Sequence, residues 1–205
     1  MRYLITQTLL SAWNYLYSCR EESTDEAYES FMRTLRREEI EPTPEMQNGI
    51  DFENAVYARL HGWPIAETDP AWENGIESVA TRLKGAQTQV KASRPLTVAG
   101  MVFLVYGKLD ALKAGHIYDV KFSNKSFHSA ELPGKYLESA QHPAYFYIVP
   151  EAMDFTYLVS DGKDLYEETY TRANTRHISE IIAEFITSIA SMGLLDTYKQ
   201  YWQAA

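Results

Sequence analysis

Two acids and a lysine lie on neighbouring predicted strands in the stretch YGKLDALKAGHIYDVKFSN, which covers residues 106–124. Side chains alternate between the two faces of a strand, so Asp119 and Lys121 share one face. A turn centred on the Ala-Gly dipeptide would place Asp110 directly opposite Asp119. Like charges in such a pair, with Cβ atoms roughly 4.5–5.5 Å apart, destabilise a sheet. The two acids therefore need a partner that compensates their negative charge.

Three arrangements would make this pair of acids tolerable. The two carboxyls could share a proton, Lys121 could pair with one acid and leave the other to solvent, or a divalent cation could lie between them. The strand around Asp110, VAGMVFLVYGKLDAL, is apolar on both faces, and partly buried acids need a partner. We favour the cation, because hard ions such as Mg²⁺ prefer carboxylate oxygens. The alternative is a surface hairpin with solvated acids.

The same residues belong to a longer series of motifs. GKLD at residues 107–110, a hairpin, and DVK at residues 119–121 resemble the PD-(D/E)XK nuclease superfamily. Its RecB- and Cas4-like branch, which includes phage-type exonucleases, has the pattern G-x-x-D, a hairpin, then D-x-K. That branch also carries a glutamate on an earlier helix, which NGIDFENAV supplies as Glu53.

A further motif of this branch lies downstream, where a tyrosine, a glutamine and a second tyrosine follow the D-x-K strand. KYLESAQHPAYFY supplies them as Tyr136, Gln141 and Tyr145. The resemblance extends from about residue 49 to residue 147. Relatives that carry an iron–sulfur cluster need four cysteines, and this chain has only Cys19, so no cluster is expected.

The resemblance implies an α/β (α+β) fold with a restriction-endonuclease-like core, in which helices flank a mixed central sheet. It also implies that Glu53, Asp110, Asp119 and the carbonyl of Val120 hold one or two Mg²⁺ or Mn²⁺ ions. Such ions activate water and neutralise a phosphate during phosphodiester hydrolysis. Lys121 would orient the water or stabilise the developing negative charge. The implied catalytic set is Glu53, Asp110, Asp119 and Lys121.

Other side chains are candidates for holding the substrate. Gln141 and Tyr145, four residues apart on one helical face, could hold the phosphate or its water. Lys108 and Lys125 flank the motifs and could contact the nucleic-acid backbone, and Tyr136 could stack on a base of a single strand.

Each of these residues also has a purely structural alternative. Glu53 could be a solvated helix acid, and Lys121 a salt-bridge partner of Asp119 alone. Gln141 could be a surface amide, and Tyr145 a core residue with a satisfied hydroxyl.

Charge is distributed unevenly along the chain. Residues 81–135 contain nine Lys and Arg against three acids, in a protein whose net charge is −9. That segment is therefore +6 and the rest −15. We interpret it as a basic groove on an acidic body, the footprint that a polyanion needs, although charge varies along any chain.

A single domain is predicted over residues 1–205, with a helical part at 1–45, a nuclease core at 46–172 and C-terminal helices at 173–205. Periodicity of two favours strands at residues 76–93, 97–112, 116–123, 154–160 and 165–171. Periodicity near 3.6 favours helices within residues 1–40, at about 49–60, at about 136–148 and from 174 onward.

The sequence as a whole favours metal-dependent hydrolysis of DNA, as an exonuclease in recombination, repair or phage replication. A catalytically inactive nucleic-acid-binding module of the same fold is the main alternative, and an acidic α/β interaction protein is another. The expected partner is DNA, at ends or as a single strand; a homo-oligomer and a single-strand annealing or recombination partner are compatible with this role.

No apolar run approaches the roughly 20 residues that cross a bilayer, so we expect no membrane association. The lone cysteine suits the reducing cytoplasm.

Overall fold

A computed structural model describes residues 1–127 and 132–204 of the chain. Its strands are β1 (Arg2–Thr6), β2 (Gln87–Val98), β3 (Met101–Lys113), β4 (His116–Phe122), β5 (Asp154–Ser160) and β6 (Leu165–Thr171). Its helices are α1 (Gln7–Ser18), α2 (Thr24–Leu35), α3 (Pro44–His61), α4 (Glu73–Leu83), α5 (Gln141–Ile148), α6 (Ile178–Ser191) and α7 (Leu195–Tyr201). The predicted class, α/β with a central mixed sheet flanked by helices, is confirmed.

The sheet combines parallel and antiparallel pairs. Five of its six strands run in the order β1-β3-β4-β5-β6, and the sixth, β2, pairs with β3. The β1–β3 and β4–β5 pairs are parallel, whereas β2–β3, β3–β4 and β5–β6 are antiparallel. The β3–β4 ladder pairs Ala111 with Tyr118, which is the register that the sequence predicted. The ladder ends there, so Asp110 and Asp119 follow at its open end.

Apolar clusters cover both faces of the sheet. On β4, Ile117 joins a cluster with α1, α2, α5 and α6, while Tyr118 and Val120 join a second cluster with α3 and α4. This alternation follows from the two-residue period of a strand. It places Asp119 on the same face as Ile117, toward α5.

Residues 76–93 do not form one strand, so that prediction is wrong. Their first part belongs to α4, in which Ile76, Val79, Ala80 and Leu83 are buried. These residues recur at intervals of three and four, which is helical spacing. Strand β2 begins only at Gln87.

Other boundaries also differ from those predicted. The predicted strand at 97–112 includes the end of β2, and β3 itself begins only at Met101. Strand β1 lies within the segment expected to be helical, because its partner is the distant β3. Helix α3 begins at Pro44, where Thr43 accepts a hydrogen bond from Met46 N–H as N-cap. Helix α5 begins at Gln141 rather than near residue 136, so Pro143 falls in its first turn. The first-turn N–H groups have no partner within the helix, so a proline is tolerated there.

Among residues 1–127 and 132–204, no individual helix has the length and apolar composition to cross a membrane. One bent pair of helical segments, Arg172–Ser191 and Leu195–Tyr201, passes that test, with 116° between its members.

Helix α5 packs closely on β3 because Gly107 has no side chain. A Cβ at this position would overlap Cε1 of Tyr145 and would lie 3.2 Å from Cδ1 of Ile148. The glycine of the GKLD motif therefore lets an aromatic ring lie directly on the strand backbone. Gly49, inside α3, has nothing within 4 Å of the corresponding point.

We expect Gly107→Ala to lower the free energy of unfolding by about 1–3 kcal/mol, because it overpacks the α5–β3 contact. The matched control, Gly49→Ala, should raise it by about 0.5–1 kcal/mol, since alanine is the better helix former and meets no neighbour. Urea denaturation of both variants checks the pair. Equal responses would contradict the packing argument.

Candidate active site

Asp110 and Asp119 come together where β3 and β4 part. Asp110 is half-buried on β3, and its Oδ2 accepts a hydrogen bond from Val120 N–H at 2.9 Å. Burial raises the pKa of Asp110 well above its usual range, and the charges of Asp119 and Glu53 raise it further. The Lys121 charge and the Val120 hydrogen bond oppose this shift without cancelling it.

Asp119 is a buried carboxylate, only 1% exposed. Its Oδ1 accepts a hydrogen bond from Gln141 Nε2, and Lys121 Nζ lies 2.6 Å from its Oδ2. Yet no donor in the described ranges, 1–127 and 132–204, has hydrogen-bond geometry to Oδ2. This oxygen thus has a cationic neighbour but keeps acceptor capacity that burial makes costly to leave unused.

The lysine is held in its charged form. Burial alone would lower the pKa of Lys121, but Asp119 and Asp110 outweigh that effect and raise the pKa above its usual value. The side chain remains 34% exposed. An ammonium that stays protonated cannot act as a general base, so this group is suited to attract and orient an anionic ligand.

Glu53 extends from α3 and is held by a residue that the sequence analysis missed. Gln89 Nε2 donates to Glu53 Oε1 at 3.1 Å and to Tyr57 Oη at 2.7 Å. Tyr57 Oη in turn donates to the Asp110 carbonyl oxygen at 3.4 Å. Burial, with the nearby charges of Asp110 and Glu53, raises the pKa of Tyr57, so its hydroxyl stays protonated and remains a donor.

Backbone strain directs Gln89 toward Glu53. Gln89 has φ +56 within β2, and the β2–β3 ladder pairs Thr88 and Val90 but passes over Gln89. A left-handed conformation costs a non-glycine residue on the order of 1–2 kcal/mol. Tyr57 follows Glu53 by one helical turn, a spacing that could have suggested it; no sequence signal singles out Gln89.

Helix α5 contributes Gln141 and Tyr145 from one face, as their spacing predicts. Gln141 is buried and bonded to Asp119, so its amide lies at the acid pair. Tyr145 is also buried, and its hydroxyl donates to the Lys108 carbonyl oxygen at 2.9 Å. This contact matches the structural alternative for Tyr145; substrate binding by either residue stays a prediction.

The remaining predicted residues surround this centre. Tyr136 is half-buried and stacks on Tyr157, with ring centroids 4.1 Å apart, and burial raises its pKa to about 12. Lys108 is exposed on β3 and lines a groove of about 620 Å³ together with Glu53. Lys125 is exposed in the turn after β4. Their contacts with a substrate stay predictions.

Three cations of the basic segment at 81–135 have contacts in the described residues, and the basic groove itself stays a prediction. Arg82 pairs with Glu167 on β6, Lys121 pairs with Asp119, and the Arg94 guanidinium lies over the Tyr147 ring. These cations therefore serve different parts of the fold. Glu131, one of the three acids of the segment, and His128 lie outside the described residues.

The donor set fits a hard cation in its chemistry. Asp110, Asp119 and Glu53 supply carboxylate oxygens whose mutual repulsion a cation would relieve, and the buried Oδ2 of Asp119 lacks an aligned donor within the described ranges. However, no group of three or more His, Cys, Asp or Glu side chains in residues 1–127 and 132–204 is arranged as a preformed metal site. Ion binding would therefore require Glu53 or the aspartates to adjust.

Comparison with known proteins adds a fold-level relationship. No protein-family model matches the chain, and no curated protein matches it in sequence. The solved structure described as "Crystal structure of SSO0001" aligns over 94% of this chain and 77% of that one, with a TM-score of 0.52 and 16% identity. The chain shares the fold of SSO0001. "Crystal Structure of LHK-Exo in complex with dAMP" aligns over 96% of this chain and 90% of that one, with a TM-score of 0.48 and 14% identity.

The raised pKa of Asp110 predicts how the free energy of unfolding depends on pH. Its pKa is raised on folding, so the folded state holds the proton more tightly than the unfolded chain. Stability should therefore fall as pH rises from about 3.9, the unfolded value, through the folded pKa. Asp110→Asn should remove this decline and raise the free energy of unfolding near neutral pH by about 1–3 kcal/mol. Denaturation in EDTA across the pH range measures it.

Asp196→Asn is the control for this experiment, because Asp196 is a fully exposed acid at the start of α7. It should leave the shape of the pH–stability curve unchanged. A wild-type stability curve that rises through the same pH interval, or an Asp110→Asn curve that matches wild type, would refute the claim that folding raises the pKa of Asp110.

Proposed function

We propose that the protein is a metal-dependent nuclease that hydrolyses DNA phosphodiester bonds from DNA ends. The observation that carries this proposal is the convergence of Asp110, Asp119 and Lys121 at the open end of the β3–β4 ladder. A purely structural site has no reason to place two repelling acids beside each other in a partly buried position. The PD-(D/E)XK-like order of the motifs supports the same assignment, including its RecB- and Cas4-like branch.

The proposed roles follow from the contacts. Glu53, Asp110 and Asp119, with the Val120 carbonyl, would hold Mg²⁺ or Mn²⁺, which when bound supplies an activated water and charge neutralisation. The charged Lys121 attracts the scissile phosphate and stabilises negative charge developing on its oxygens. Gln141 fixes the Asp119 carboxylate through its amide.

The hydrogen bonds of Gln89 and Tyr57 position Glu53 and take no direct part in the proposed reaction. Gln89 donates to both Glu53 and Tyr57, and these hydrogen bonds restrict the Glu53 carboxylate to one side of the groove. A carboxylate that is already oriented loses less conformational freedom when it becomes a ligand. Recombination, repair or phage replication would be the setting for such an enzyme.

Cleavage assays test the proposal directly. Linear DNA should be degraded with Mg²⁺ or Mn²⁺ and stay intact in EDTA, and resistance of closed circles would identify an exonuclease. Lys121→Ala and Asp119→Ala should each lower the rate by about 100-fold or more, because the first removes a cation that stabilises the reacting phosphate and the second removes a proposed ligand of the metal ion. Lys163→Ala, an exposed cation in the β5–β6 turn, should retain wild-type activity. Binding of DNA without metal-dependent cleavage would favour the inactive binding module instead.

Metal binding can be measured without catalysis. Millimolar Mg²⁺ or Mn²⁺ should raise the melting temperature of the wild-type protein, because a ligand of the folded state stabilises it by mass action. The same ions should give a much smaller rise with Asp119→Asn. An equal rise in both proteins would place the ion elsewhere and contradict the proposed ligand set.

A further inference from the structure

Trp63 is a large aromatic side chain that the fold leaves in solvent. It is 60% exposed, whereas Trp13 and Trp202 are 7% and 5% exposed. The fourth tryptophan, Trp72, packs against Phe122 with ring centroids 4.6 Å apart. Trp63 is thus the tryptophan with the most surface available to a ligand.

The backbone of Trp63 is nevertheless fixed. Helix α3 ends in a Schellman motif, in which Trp63 N–H donates to the Ala58 carbonyl oxygen at 2.8 Å and Gly62 N–H donates to the Arg59 carbonyl oxygen at 3.4 Å. Gly62 has φ +68, the left-handed conformation that this motif requires. Exposure of the ring therefore does not result from a loose segment.

A second ring supports Trp63. His61 stacks on it, with ring centroids 4.5 Å apart and an interplanar angle of 29°. Nε2 of His61 lies 3.0 Å from Oγ1 of Thr88 on β2, which ties the stacked pair to the edge of the sheet. The pair forms a supported aromatic surface of the kind on which planar ligands stack.

This surface opens into a groove that Glu53, one residue of the proposed active site, also lines. Trp63 lines the same groove of about 620 Å³ as Glu53, Gln89 and Lys108. The groove therefore joins an aromatic ring, a cation and a candidate catalytic carboxylate. A nucleic-acid strand offers a planar base to the aromatic ring and a negative phosphate to the cation.

We propose that Trp63 stacks on an unpaired nucleobase of the nucleic-acid strand that occupies this groove, and that Lys108 contacts a phosphate of the same strand. This inference rests on the proposed function. Bases inside a duplex are already stacked on their neighbours and offer no free face. The site therefore selects single-stranded DNA or a frayed end over uninterrupted duplex. Stacking on an aromatic ring tolerates any base, because every base has a π face.

Binding in EDTA tests this inference independently of cleavage. Addition of a single-stranded oligothymidylate should quench the tryptophan fluorescence of the wild-type protein, and Trp63→Phe should lose most of that signal. By anisotropy of a labelled oligonucleotide, Trp63→Ala should bind about 5- to 150-fold more weakly, the range that base–aromatic stacking supports. Trp63→Phe should recover part of the affinity, because its ring can still stack.

The control variant is Tyr15→Ala, which removes an aromatic side chain that is 52% exposed on α1 and should bind like wild type. An oligonucleotide with the same backbone but abasic sites should bind wild type as weakly as the normal strand binds Trp63→Ala. Unchanged affinity of Trp63→Ala, equal binding of the abasic strand, or no binding of any oligonucleotide would each overturn the inference.

The two proposals fail in different ways. Trp63-dependent binding without metal-dependent cleavage would retain the stacking site and reject the nuclease. Metal-dependent cleavage with binding that ignores Trp63 would retain the nuclease and reject the stacking site.

Discussion

Repulsion between the half-buried Asp110 and the buried Asp119 is the constraint around which this site is arranged. Asp110 and Asp119 meet at the end of the β3–β4 ladder, and the pKa of Asp110 is raised by burial and by its acidic neighbours. The Lys121 ammonium, the Val120 N–H and the Gln141 amide compensate part of this repulsion. These contacts leave an excess of negative charge. In the proposed function, this excess of negative charge is what a bound cation would neutralise.

The sheet topology explains why the acids can be held so close. β4 lies between antiparallel β3 and parallel β5, so its backbone is fixed on both sides. Asp119 faces α5, whose buried Gln141 fixes one carboxylate oxygen. The absence of a side chain at Gly107 brings α5 onto β3. The same close packing that fills the core therefore also places the amide beside the acid.

The groove beside the acids is organised on the opposite side by α3 and β2. Strain at Gln89 turns its amide toward Glu53, and the C-terminus of α3 places Trp63 at the groove wall. Helix α3 thus carries Glu53, and the Schellman motif at its C-terminus holds the backbone of Trp63. The position of Trp63 relative to Glu53 therefore depends on the helix and on the motif that ends it.

The sequence by itself determined the α/β class, the β3–β4 register and the spacing that sets Asp119 beside Lys121, because these depend on local periodicity and a tight turn. It also indicated Gln141, through its position in a motif. It did not reveal β1, whose hydrogen bonds go to a strand about 100 residues away, nor Gln89, whose role depends on a strained backbone opposite Asp110. The helical spacing of the buried residues of α4 is visible in the sequence, but the first part of this segment was wrongly predicted to be a strand. Which side chains approach Glu53 was decided only by the tertiary structure, because such contacts join residues that no local pattern relates.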